Sequence, residues 1–118
     1  MPHMPGHQAG PNADLHSGLE ECINSCWQTL SYCLDKGGQH VQANHMRLLM
    51  DCAEICETAD DYLMRNSAIT GRITPIVADV CERTAQSLNQ FRDDPQMQNC
   101  VDACQRTAEV SRRTRMAA

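Results

Sequence analysis

The chain has 118 residues, enough for one domain around a single core, and with one Trp, two Tyr and one Phe that core must be built from Leu, Ile, Val, Ala, Met and Cys. Its net charge of −5 leaves no basic stripe with which to neutralise a nucleic acid. No run of about 18 apolar residues is present, so no segment reads as a membrane span.

Residues 1–13 read as a disordered tail, separate from a folded unit over 14–118. The tail holds Pro2, Pro5, Gly6, Gly10 and Pro11, and lacks both an apolar run and a basic start. It is no recognisable export signal, which places the chain in the cytoplasm, where eight cysteines stay reduced. An export leader outside this sequence would bring a disulfide framework back into consideration. His3, Met4 and His7 offer copper-binding side chains, but Pro2 has no amide hydrogen to give up to a square-planar Cu(II) site. A plain tail is the preferred reading.

The first helix is expected from Asp14, as N-cap, to Lys36, where Gly37-Gly38 stops it. Leu19, Cys22, Cys26, Leu30 and Cys33 form its inward stripe, widened by Ile23, Trp27 and Leu34. The second runs from Val41 to Asn66 with His45, Leu48, Leu49, Cys52, Ile55, Cys56, Ala59 and Leu63 buried; Met46 and Met50 face outward and suggest a homo-oligomer. Thr74-Pro75 reads as a cap followed by Pro at the first helical position, opening a third helix to Arg92 with Val77, Cys81, Ala85 and Leu88 inward. Asp94-Pro95 repeats the signal for a fourth helix to Arg115, carrying Met97, Cys100, Val101, Cys104 and Ala108. The basic group Arg112, Arg113 and Arg115 suits the negative end of that helix. Four similar helices with short connections predict an all-α, antiparallel up-down-up-down four-helix bundle.

Three cysteine pairs share one spacing: Cys22/Cys26, Cys52/Cys56 and Cys100/Cys104. Helical residues at i and i+4 share a face with Cβ atoms about 5–6 Å apart. A disulfide needs about 3.5–4.5 Å, whereas a metal ion adds a bond of roughly 2.3 Å at each end, so the spacing favours a metal within each pair. A single buried Cys reads as a small apolar residue; eight at inward positions do not.

With its helices placed, the chain resembles the bacterial cysteine-rich four-helix-bundle copper storage proteins over Leu19 to Arg115, most densely at Arg47–Thr58, Val80–Thr84 and Met97–Arg106. The resemblance implies Cu(I) held by Cys22, Cys26, Cys33, Cys52, Cys56, Cys81, Cys100 and Cys104. Thr29 and Thr107 stand where such chains continue the thiol ladder, and Ala85 and Leu88 follow Cys81, so the ladder here is thinner.

Counting residues from one end of the bundle puts Cys22, Cys26, Cys52, Cys56, Cys81 and Cys104 within roughly 9 Å of helix rise, one central layer. Cys33 and Cys100 fall higher, with His45 and Met97, a soft set suited to receiving Cu(I). Zinc is the alternative metal, through thiol pairs from adjacent helices; iron–sulfur spacings are absent. The leading function is therefore Cu(I) binding without turnover. Two other classes are a thiol enzyme or redox sensor, which would need an accessible low-pKa cysteine, and an interaction module with incidental thiols. Glu20, Glu21, Asp51, Glu54, Glu57, Glu82 and Asp102 read as a solvated face and not as an acid/base pair.

Overall fold

A computed structural model describes residues 11–114. Four helices make up the fold: α1 (Pro11–Lys36), α2 (Ala43–Met64), α3 (Thr70–Leu88) and α4 (Pro95–Thr114). Each packs against its two neighbours in sequence, and α4 closes the ring against α1, which is the predicted up-down-up-down bundle. None of the described helices is long and apolar enough to cross a membrane.

The boundaries differ from expectation where local signals met tertiary ones. Helix α1 is already formed at Pro11, three residues before the predicted cap, and Asp14 lies in its first turn. Residues 1–10, with His3, Met4 and His7, and Arg115 at the far end lie outside the described residues. Gly37 and Gly38 take φ of 68° and 58°, and the Gly37 amide bonds the Cys33 carbonyl at 2.9 Å, closing α1 where predicted. A short 3-10 turn, Gly38–Val41, then delays α2 to Ala43.

Helix α3 starts at Thr70, so Pro75 lies inside it and not at its first position. The Thr70 hydroxyl donates to the Ser67 carbonyl at 2.8 Å and the Ile69 amide to the Ser67 hydroxyl at 3.2 Å, which sets the start early. Pro75 has no amide for the Gly71 carbonyl four residues back. The Thr74 hydroxyl points to that carbonyl at 3.4 Å, so Thr74 serves a helix interior and not its cap.

The Asp94-Pro95 signal does start a helix. Asp94 Oδ1 accepts from the Gln96 amide at 3.1 Å and the Met97 amide at 3.4 Å. Its other oxygen accepts from the Tyr32 hydroxyl at 2.9 Å and faces His40 Nε2 at 3.0 Å, tying α1 and the 3-10 turn to the start of α4. Burial works against the Asp94 charge, but the bonds from His40 and Tyr32 outweigh it and hold the carboxyl below its ordinary range. A depressed pKa stabilises the fold above the unfolded value and stops doing so as pH falls through the folded one. Asp94→Ala is expected to cost about 1–2 kcal/mol at neutral pH, read from the urea midpoint, with the difference shrinking in acid.

The core has three tiers along the bundle. Leu15 and Leu19 fill one end, Leu49, Leu88 and Met97 the other with Cys33 beside Met97, and the other seven cysteines lie between. Leu34 and Trp27, predicted to widen the α1 stripe, are 60% and 36% exposed: seven residues apart, they share a flank of α1 that faces away from the core, while Cys33 beside Leu34 is fully buried. Met50 is outward as predicted, and all seven carboxylates interleaved with the cysteines are exposed.

Candidate metal centre

All eight cysteines are free and every one is fully buried. Their inward aim follows from the helical repeat, since each pair at i and i+4 lies on the stripe that also buries leucine.

Six of them converge. Cys22, Cys26, Cys52 and Cys104 have their sulfurs within 4.8 Å of one another, and so do Cys22, Cys52, Cys56 and Cys81. These are the six residues predicted for the central layer, and Cys22 and Cys52 belong to both groups. Within the second group Cys22–Cys52 is 3.6 Å, Cys22–Cys81 3.9 Å and Cys52–Cys81 3.7 Å. An ion at the centre of that triangle would lie about 2.2 Å from each sulfur, close to an ordinary metal–thiolate bond.

The thiols also divide by ionisation. S–H donation, chiefly from Cys104, lowers the pKa of Cys22 and of Cys52. The Cys104 thiol is driven well above its ordinary value, first by Cys100. Cys26, Cys56 and Cys81 are also raised, first by Cys100, Cys22 and Cys22 respectively. Lowered values at Cys22, Cys52 and Cys100 against raised ones at their neighbours reflect thiols that share protons within one buried cluster. A metal replaces such donated protons directly.

The predicted upper group is not assembled as one set. Cys33 and Met97 do meet, with the thiol 3.7 Å from the thioether sulfur. Burial pushes the Cys33 thiol up to about 11. Cys100 lies one turn from Cys104 on α4, outside both convergent groups; Cys104 and Cys26 lower its pKa, and it in turn helps to raise that of Cys33, so it stands between the central layer and the outer pair.

His45 is buried, but both ring nitrogens are engaged by protein. The Gln90 amide donates to Nε2 at 3.1 Å and Nδ1 lies 2.6 Å from the Ser87 hydroxyl. Desolvation, with help from His40, lowers its pKa and keeps the ring neutral. Neither convergent thiol group includes it. No periodicity announces Ser87 or Gln90 as partners, since both reach His45 from another helix end.

Thr29 and Thr107, at the gaps in the ladder, are fully buried and hydrogen-bonded. Thr29 accepts from the Gln96 amide at 3.2 Å, and Thr107 donates to the Ala103 and Gly18 carbonyls at 2.8 and 2.9 Å.

A family model described as copper storage protein matches residues 10–116, nearly the whole chain. The chain belongs to the copper storage protein family. Among solved structures, the Nmul_A1745 protein of Nitrosospira multiformis is 29% identical with a TM-score of 0.85, covering 92% of this chain and 97% of its own. The Cu(I)-bound copper storage protein BsCsp3 is 28% identical with a TM-score of 0.83, covering 92% of this chain and 100% of its own. An uncharacterized cysteine-rich protein of Bacillus subtilis, YhjQ, is 29% identical over 92 residues, 78% of this chain and 84% of the relative. As a member of this family, the chain has its storage architecture with the gaps at Thr29 and Thr107 closed by hydroxyl–backbone and hydroxyl–amide bonds.

Proposed function

We propose that this protein stores or buffers Cu(I) in the cytosol without catalytic turnover, by binding the ion to thiolates in the bundle interior. The observation that carries the reading is the pair of buried four-sulfur groups joined through Cys22 and Cys52. Six thiols can give four ligands to each of two ions only by sharing. Cu(I), soft and content with fewer ligands, is served by bridging thiolates from the same set. The Cu(I)-bound BsCsp3 structure, alike over 92% of this chain, supports copper as the cargo.

In this reading Cys22, Cys26, Cys52, Cys56, Cys81 and Cys104 hold the ions, Cys100 extends the layer, and Cys33 with Met97 forms an outer soft pair. His45 supports the upper end through Ser87 and Gln90 and gives up that bonding before it can bind a metal. Burial of every thiol speaks against a redox sensor, which needs an accessible cysteine.

Titration of the reduced protein with Cu(I) under anaerobic conditions, against a coloured chelator, tests the proposal. Several equivalents withheld from the chelator are expected; none withheld would leave the cysteines as core packing. A gain of capacity is also expected from Thr29→Cys. Thr29 lies beside Cys100 and its replacement is close in volume, so the variant should hold about one further Cu(I), measured in the same titration.

A further inference from the structure

One turn beyond Cys56, the seam between α1 and α2 carries a second, chemically different cluster. His16 and Glu20 stand at i and i+4 on α1, and Asp60 faces them from α2. His16 Nδ1 lies 2.7 Å from Asp60 Oδ1 and His16 Nε2 3.4 Å from Glu20 Oε1. One ligating atom from each residue lies within 4.8 Å of the other two. The imidazole and the Asp60 carboxylate are 30% and 16% exposed, so the group is held at the edge of the core and remains open to solvent on the Glu20 side.

The charge around this cluster is unbalanced. Lys36, in the last turn, is the only Lys or Arg of α1, and Arg47, near the opposite end, is the only one of α2. Arg106 reaches across from α4 but pairs with Glu21 at 2.8 Å. Arg65, just past α2, points its guanidinium at the Asp61 carbonyl and lies over the Tyr62 ring. Among the described residues, Glu20 and Asp60 form ion pairs with His16 alone. Among the described residues, two carboxylates therefore converge on one imidazole with no guanidinium or ammonium paired to them.

We propose that His16, Glu20 and Asp60 form a binding site for a divalent first-row metal ion, separate from the thiol interior. One imidazole nitrogen and carboxylate oxygens suit borderline divalent ions and are poor ligands for Cu(I), which prefers sulfur. The ligands come from two helices and close the seam between them. Nε2, on the open Glu20 side, is the nitrogen that faces the ion, while Asp60 holds Nδ1 through Oδ1 to orient the ring and has its second carboxylate oxygen left for the ion. The bundle then keeps two chemistries apart: a soft monovalent ion inside, a divalent ion on the seam. The proposal does not depend on what the cysteines bind.

The test is Co2+ uptake by the full-length, fully reduced protein under anaerobic dialysis, comparing wild type with His16→Gln and Asp60→Asn. Cobalt taken by thiols is common to all three proteins and cancels in the difference. Each variant is expected to bind about one Co2+ fewer, the missing ion showing weak d–d absorption without sulfur-to-cobalt charge transfer, while Cu(I) uptake stays unchanged. Equal Co2+ uptake in the three folded proteins would overturn the proposal and leave His16 as an imidazolium between two carboxylates. A difference spectrum with sulfur-to-cobalt charge transfer would overturn it too, by assigning the lost ion to the thiols.

Discussion

Replacing Cys22 and Cys52 together by alanine is expected to remove more than half of the bound Cu(I), although only two of the eight cysteines are lost. Both residues belong to both four-sulfur groups, so the double variant leaves only Cys26 with Cys104 and Cys56 with Cys81. The suitable control is Cys26→Ala with Cys81→Ala, which removes one member from each group and leaves three sulfurs in each. Stoichiometry from the anaerobic titration should fall much further in the first variant than in the second. Equal losses would mean that the ions bind to independent helical pairs and that sharing through Cys22 and Cys52 has no consequence. Circular dichroism guards the comparison, since Cys→Ala removes only one buried sulfur per site and should leave the helices formed.

Leu49→Ala is expected to destabilise the metal-free protein by about 2–5 kcal/mol, read from chemical denaturation. Leu49 is fully buried at the end of the core where Leu88 and Met97 also lie, and truncation there leaves a cavity as well as losing burial. With Leu15 and Leu19 packing the opposite end, apolar tiers enclose the thiols from both sides, so the helices have a core that needs no metal. A chelator should accordingly leave the helical signal intact. If the signal collapsed on chelation, or if Leu49→Ala changed nothing, the metal and not the leucine tiers would be holding the bundle together.

Much of this architecture was legible because helical periodicity is a strong signal when the inward residues are chemically distinctive. Eight cysteines at inward positions on four helices defined the interior, and approximate heights were enough to group six of them. Cys100 stands outside the two central groups, one turn from Cys104 on α4, where it acts on Cys26 on one side and Cys33 on the other. Two identical-looking signals also had different fates. Asp94-Pro95 begins a helix because the Asp94 carboxylate reaches two free amides. Thr74-Pro75 does not, because the Ser67 turn starts α3 earlier and Pro75, with φ already in the helical range, is carried inside. The His45 contacts were invisible for another reason: Ser87 and Gln90 follow no pattern that sequence can register. Of His16, Glu20 and Asp60, sequence pattern singles out only Glu20, as part of a solvated face, because the three meet only where α1 and α2 pack.

The most direct test of the account is diffraction from crystals of the Cu(I)-loaded protein with anomalous data collected across the copper edge. Copper peaks are predicted inside the bundle, among Cys22, Cys26, Cys52, Cys56, Cys81 and Cys104, each with two or three sulfurs at about 2.3 Å. Peaks confined to the surface, with the six central sulfurs unligated, would contradict it.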